Sequence, residues 1–327
     1  MRVFWSLLVL VAALAIGAFA AMRWEETNFA APGSSAEEKI VIVEPGTSLR
    51  AIADRFEREG IVTSAFFFRI GVMRRGQTAA LQAGEYAVPP RISMAEAMAL
   101  LMSGKVVEHR ITVPEGLTSM AALEIVRSDP VLTGEVAAAP PEGSLLPETY
   151  VFRRGTTRAE ILARMRKSQD DLLASLWEKR KEGLPFATPE DAVNLASIVE
   201  KETALAAERP RIASVFVNRL KRGMKLESDP TIIYGLTGGV ALGHPLRQSE
   251  LAKENPYSTY QIAGLPPTPI ANPGKDAIAA VLNPPDSEEL FFVADGSGGH
   301  SFAKTNAEHA RNVVKLRQLE RKTATGR

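Results

Sequence analysis

The chain has 327 residues, 45% of them hydrophobic and 24% charged, enough for one large folded domain or two smaller ones with buried cores. Its 39 lysines and arginines stand against 38 aspartates and glutamates, a net charge of +1 whose field would not recruit DNA or RNA, so nucleic acid is excluded as a partner. There is no cysteine, which excludes disulfides, thiolate nucleophiles and cysteine-ligated zinc and suits a chain that folds where stray thiols would oxidise.

Val3 to Met22 carries no charged residue and is flanked by Arg2 and Arg23. About twenty residues in a helix cross the ~30 Å hydrocarbon core of a bilayer, so residues 3–22 read as a single-pass anchor, with residues 1–22 as the first segment. Ala18-Phe19-Ala20 offers the alternative of a cleaved signal peptide, against which the length of the apolar run argues. On either reading the rest of the chain lies outside the cytoplasm. Residues 23–38, with Pro32, Gly33, Ser34, Ser35 and several charges, read as a juxtamembrane linker.

A compact unit is expected over 39–108. Lys39 to Val43 is a β-branched run and Glu44-Pro45-Gly46 a turn. Thr47 or Ser48 caps a helix through Leu49, Ile52, Ala53 and Phe56. An apolar helix follows from Ser64 to Met73, then a strand over Gly84 to Val88, then a capped helix from Ser93 to Met102. Through Pro45-Gly46-Thr47-Ser48-Leu49 and the helix after it, this βααβ order resembles a LysM-type carbohydrate-binding fold, with a generic α+β packing unit as the alternative.

From 109 onward a larger α+β domain is expected. Ile111-Thr112-Val113 is a strand, Thr118 opens a helix through Val126, and Thr149 to Phe152 is a second strand. Thr156 or Thr157 caps a long amphipathic helix from about Arg158 to Lys181 with a charged, solvated face. The basic helix from Glu308 to Lys322 reads as a solvated end.

The chemistry concentrates after Thr188-Pro189-Glu190-Asp191, a well-formed helix start in which Thr188 caps and Asp191 sits three residues on. Along that helix Leu195, Ile198, Val199 and Glu202 share one stripe, while Glu200 and Lys201 fall on the polar face. A carboxylate on an apolar stripe is costly if ionised and unpaired. It is either half of a structural ion pair or helix cap, or a group whose pKa burial raises so that it carries a proton at neutral pH, as glycosidic cleavage requires.

Leu195 to Thr203, reading LASIVEKET, opens a series of ordered motifs. It continues through Arg209, Ala213 to Leu220, Gly223 to Leu226, Ser228-Asp229-Pro230-Thr231 and Ile233-Tyr234-Gly235. Further on come Pro256 to Tyr260, Gly264 to Pro267, Pro269 to Gly274, Phe292 to Gly296 and Gly299 to Phe302. With the anchor and the segments around Gly84 and Glu142 to Tyr150, nearly the whole chain resembles the MltG (YceG-like) endolytic murein transglycosylases. The resemblance implies a catalytic domain over 109–327 and puts the family's catalytic glutamate, the second in Glu-Lys-Glu-Thr, on Glu202, the residue that the helical stripe singles out. It implies an inner-membrane protein whose catalytic part is periplasmic, peptidoglycan glycan strands as substrate, peptidoglycan synthases as partners, and no cofactor or metal. Glu202 would protonate the bridging oxygen between N-acetylmuramic acid and N-acetylglucosamine, then deprotonate the muramic acid's C6 hydroxyl, leaving a 1,6-anhydro end. Asn218, Asp229, Tyr234, Tyr257 and Tyr260 are the candidates for polar and stacking contacts to the sugars, and 264–274 reads as a rigid loop framing the cleft. Two positions depart from the family pattern: Ser258 stands where asparagine is usual, and Thr268 where glycine is usual.

Other enzyme classes fit poorly. His109, His244, His300 and His309 lack metalloprotease spacing, and no Gly-x-Ser-x-Gly elbow exists. The alternative of another kind is a non-catalytic glycan-binding scaffold that docks cell-wall synthases.

Overall fold

The computed structural model describes residues 2–325; Met1, at the head of the expected anchor, and residues 326–327, at the end of the expected catalytic domain, lie outside the described residues. The fold mixes helices with small two-stranded sheets. It divides into two compact units, one comprising the chain up to residue 109 with 151–154, the other 110–150 with everything from 155 onward. Strands β3 (Glu108–Thr112) and β4 (Thr149–Arg153) form a two-stranded sheet of their own.

The first unit contains α1 (Arg2–Ala30), β1 (Lys39–Val43), α2 (Leu49–Arg58), α3 (Ala65–Arg74), β2 (Gly84–Val88) and α4 (Met94–Ser103). Serine hydroxyls start three of these helices: Ser48 accepts from the Ala51 N–H, Ser64 from Phe67 and Ser93 from Glu96, whose carboxylate completes a capping box. β1 and β2 pair antiparallel with Val41 opposite Tyr86, in the expected βααβ order. Alternation along β1 turns Val41 and Val43 inward onto Phe56, Phe68, Tyr86 and Leu101. The buried Tyr86 hydroxyl is satisfied by the Gln82 carbonyl at 2.8 Å.

The expected linker is not all linker. Phe4–Ala30 is long and apolar enough to cross a membrane, but α1 continues as one helix well past Met22 and its last turns join the core of the first unit. Glu25 is 7% exposed and takes hydrogen bonds from Arg74 and Arg75. Phe29, 1% exposed, stacks on Phe68 at 6.4 Å. Burial of one such ring contributes about 1.5–3 kcal/mol, enough to keep 23–30 helical despite its charges. Only 31–38 stays irregular.

The second unit adds α5 (Ser119–Ser128), α6 (Arg158–Glu178), α7 (Pro189–Glu202), α8 (Arg209–Lys221), α9 (Asp229–Thr237), α10 (Gln248–Ala252), α11 (Lys275–Leu282), the hairpin β5 (Phe291–Ala294) and β6 (His300–Ala303), and α12 (Asn306–Thr325). At its centre α7 packs against α6, α8, α9 and α11, with Leu195, Ile198 and Val199 meeting Ile212, Phe216, Ile278 and Val281. β5 and β6 run antiparallel with Phe291 opposite Ala303. The C-terminal helix is not simply a solvated end: α12 packs on this hairpin, and His309 stacks on Phe291 at 5.3 Å.

Gly71 on α3 lies so close to Phe29 that a Cβ there would overlap the ring. Gly71→Ala is therefore expected to destabilise the first unit by about 1–3 kcal/mol, as overpacked cores are, and to speed amide hydrogen exchange across 24–30. Unchanged exchange there would contradict the docking of α1.

Candidate active site

α7 starts as its sequence dictates. The Thr188 hydroxyl accepts from the Asp191 N–H, the Asp191 carboxylate accepts from the Thr188 N–H, and Pro189 fills the first turn. Every residue from Ala192 to Glu200 is buried, so the helix has no polar face over that stretch. Two of its polar side chains hold the neighbouring loop: Asn194 donates to the Pro266 carbonyl at 2.7 Å, and the Ser197 hydroxyl accepts from the Ile270 N–H at 3.0 Å. These bonds fasten the loop over 264–274 alongside α7.

This corrects the expectation for Glu200. It does not point to solvent: its side chain is 4% exposed, pairs with Arg209 at 2.7 Å and accepts from the Gly274 N–H at 3.0 Å. Arg209 also reaches Glu115 at 3.0 Å. Burial pushes the Glu200 carboxyl up, and the Gly274 N–H and Arg209 pull it back. Glu200 is a structural pair that lets α7 be surrounded; removing either member would leave a buried charge alone.

Glu202 is the last residue of α7 and has no basic side chain paired with it among the described residues. Desolvation raises its pKa to about 7, with the nearby charge of Asp229 adding to the rise; a hydrogen bond from Ser228 and the positive charges of His300 and Arg219 oppose it. Its place at a helix C-terminus, where the backbone dipole is negative, acts in the same direction as desolvation. The Ser228 hydroxyl donates to Glu202 Oε1. Ser228 sits at the N-cap position of α9, yet its side chain makes no cap bond and turns to Glu202 instead. It is held there by the neighbouring threonines: the Ser228 N–H donates to Thr259 Oγ1 at 2.9 Å, and the Thr231 hydroxyl donates to the Ser228 carbonyl at 2.6 Å. The preceding Glu227 is in the left-handed region at φ 55°, a strain that functional sites commonly hold.

Glu202 opens into a cavity of about 350 Å³ whose walls include Asp229, Tyr260, Arg219, Phe292 and His309. The Tyr260 hydroxyl donates to Asp229 Oδ1 at 2.9 Å, and burial together with that carboxylate holds the phenol well above its ordinary pKa. Arg219 is nearly buried and spends its guanidinium on the carbonyls of Leu290, Lys225 and Leu226 and on Glu227 at 3.0 Å, fixing the cavity wall. Beside Glu202, the Thr203 hydroxyl donates to Glu208 at 3.4 Å, and Glu208 in turn takes the His300 N–H at 2.9 Å and its Nδ1 at 2.7 Å. Burial works to raise Glu208, but the bonds from His300 outweigh it and hold the carboxyl low. The Glu208 pairing ties the β5–β6 hairpin to the end of α7. Among the described residues no group of three or more histidine or acidic side chains is arranged to hold a metal ion.

Of the residues singled out from sequence, Glu202, Asp229 and Tyr260 meet at this cavity and the other three do not line it. The Asn218 amide is taken up by the carbonyls of Ser287 and Glu289, at 2.8 and 3.0 Å, which is a scaffold bond. Tyr234 and Tyr257 pack edge to face at 4.9 Å elsewhere in the unit; Tyr234 donates to Glu142 at 3.1 Å and Tyr257 bonds Thr268 at 2.9 Å. Thr268, one of the two departures, thus finds a partner, whereas the buried hydroxyl of Ser258, the other, has none. Sequence reasoning did not single out Ser228, Arg219, Glu208 or His300 as site residues. The signal available for three of them was membership of the quoted motifs; Glu208 carried none.

The YceG-like family model matches residues 41–315. The endolytic murein transglycosylase of Bacillus subtilis (strain 168) is 30% identical over 298 residues, 81% of each chain. That of Streptococcus pneumoniae serotype 2 is 27% identical over 356 residues, covering 94% of this chain but only 64% of the relative's own length. A crystal structure of a YceG-like protein from Listeria monocytogenes matches with a TM-score of 0.51 at 29% identity, covering 85% of this chain and 99% of the other. With a family model spanning most of its length, a relative 30% identical over four-fifths of each chain, and a solved relative of the same fold, this chain belongs to the YceG-like family.

Proposed function

We propose that this protein is an endolytic lytic transglycosylase of peptidoglycan, with Glu202 as its catalytic acid and base. One observation carries the reading: a carboxyl pushed up to about 7 by desolvation stands at the wall of an open cavity, without a cationic partner, in a member of a family whose curated relatives bear that enzyme name. A group with this pKa is substantially protonated at neutral pH and can lose and regain its proton within one turnover.

Protonated Glu202 gives its proton to the oxygen joining N-acetylmuramic acid C1 to N-acetylglucosamine, and that bond breaks as positive charge develops on C1 and the ring oxygen. The carboxylate left behind keeps the Ser228 hydrogen bond, which stabilises its charged form. It then takes the proton from the C6 hydroxyl of the same muramic acid, whose oxygen closes on C1 to give the 1,6-anhydro end. An intramolecular nucleophile has a high effective molarity, so no second carboxylate is needed to activate water. Asp229 and Tyr260, on the cavity wall, supply bonds to sugar hydroxyls and acetamide. Tyr234 and Tyr257, with Glu142 and Thr268, form a separate polar surface suited to a more distant part of the strand.

The rest of the chain fits membrane-bound work on glycan. The first unit, with its β1-α2-α3-β2 order, acts as a LysM-like glycan-binding module, and α1 holds the enzyme in the inner membrane with both units in the periplasm, beside the synthases that make the strands.

Incubation of uncrosslinked glycan strands with the full chain, followed by mass spectrometry, is expected to show anhydromuramic ends. Glu202→Gln should cut the rate by about 10²–10⁴-fold, the usual worth of positioned acid–base catalysis. Ordinary reducing ends would mean that water, not C6, is the nucleophile, and strand binding without cleavage would leave a scaffold. Because the proton donor must be protonated, kcat/KM is expected to fall as pH rises through about 7. The Ser228 hydroxyl favours the charged carboxylate, so Ser228→Ala should raise the Glu202 pKa and move that fall to higher pH while slowing turnover. A fall that stays in place, or moves to lower pH, would contradict this role for Ser228.

A further inference from the structure

The exposed face of α3 is not explained by catalysis. Phe66 and Met73 are 58% and 51% exposed, with the half-buried Ile70 between them on one stripe. What surrounds that stripe shows which way it faces. The Phe67 ring meets Trp24 edge-on at 5.1 Å, and Arg74 bonds Glu25. Phe67 and Arg74 lie about two turns apart yet both reach the same level of α1, so α3 crosses α1 rather than running along it. Phe29, further from the apolar stretch of α1, is met by Phe68, Gly71 and Arg75.

At about 100° per residue, the side of α3 that meets Phe29 gives way to the side that meets Trp24 and Glu25. Continuing in the same direction leads to Phe66, Ile70 and Met73. The exposed stripe therefore faces the end of α1 that carries the apolar stretch. Trp24 stands two residues beyond Met22, the depth at which aromatic side chains collect at membrane surfaces. α3 has no acidic residue, and Arg69 lies beside the stripe. An apolar stripe with aromatic and basic flanks, held across a spanning helix at the level of the headgroups, has the properties of an interfacial helix.

We propose that α3 rests on the bilayer surface next to α1, with Phe66, Ile70 and Met73 entering the interfacial region of that leaflet, so that the first unit is seated on the membrane rather than tethered above it. The inference rests on the reading of α1 as the membrane anchor, but is independent of Glu202 chemistry.

The native chain has no cysteine, so single cysteines can carry a nitroxide label. The full chain would be reconstituted in phosphatidylethanolamine–phosphatidylglycerol vesicles with labels at Phe66→Cys and Met73→Cys, a bilayer reference at Leu14→Cys in the apolar stretch, and a water reference at Arg50→Cys, whose side chain is 77% exposed on α2. Collisions with dissolved oxygen and with a water-soluble nickel chelate are then compared. Docking predicts that nickel collisions at 66 and 73 drop several-fold below those at 50 while oxygen collisions rise towards those at 14. Labels at 66 and 73 as open to nickel as the one at 50, with 14 protected, would overturn the docking and leave the anchor standing. Protection from nickel and oxygen together would mean a protein surface covers α3, which also overturns it. Free nickel access at 14 would remove the anchor and the docking together.

Discussion

Holding one half-buried carboxyl in a largely desolvated place at the end of a surrounded helix is the constraint on which the second unit depends. α7 is buried on all sides over most of its length, so its polar groups must be answered by neighbouring elements. Asn194 and Ser197 hold the loop over 264–274, and Glu200 engages Arg209 and the Gly274 backbone. A Cβ at Gly274 would displace the Glu115 carboxyl from its place beside that turn. These bonds position the helix so that its final residue projects into a cavity.

Two glutamates two residues apart on one helix thereby acquire different tasks. Burial raises both, but Glu200 is drawn back by a guanidinium and a backbone N–H, whereas Glu202 receives one hydroxyl. The first is committed to structure; the second keeps a proton that it can give up. The hydroxyl itself reflects a local sacrifice, since Ser228 leaves the start of α9 without a side-chain cap in order to face Glu202. Capping by serine typically contributes about 0.5–2 kcal/mol, so that orientation has a stability cost which the bonds to Thr231 and Thr259 help offset.

Much of this was legible in the sequence where the determinants are local. The caps at Ser93, Thr118 and Thr188, and one of each adjacent pair at 47–48 and 156–157, follow from hydroxyl residues ahead of apolar periodicity, and the inward turn of Glu202 follows from its stripe. The failures share a physical cause. A helical wheel assumes that a helix has one solvated side, and α7 has none around Glu200. The charges of 23–30 read as a linker because the arginines that bury Glu25 lie some fifty residues on, and α12 reads as a solvated end because the hairpin that its start meets is formed by residues outside its own sequence. Asn218 has a side chain suited to sugars and equally suited to scaffold carbonyls, and its identity alone does not choose. Ser228 stands in a quoted motif, and only the folded backbone shows that its hydroxyl turns to Glu202.

The most direct test of the central claim is an infrared titration of the carboxyl groups in the full chain, wild type minus Glu202→Gln. The account predicts a difference band from one carboxyl that loses its proton with a midpoint near 7, present only in the wild type. A Glu202 band titrating in the ordinary carboxylate range would show that the group is solvated and ionised at neutral pH, and the acid–base role assigned to it here would fail.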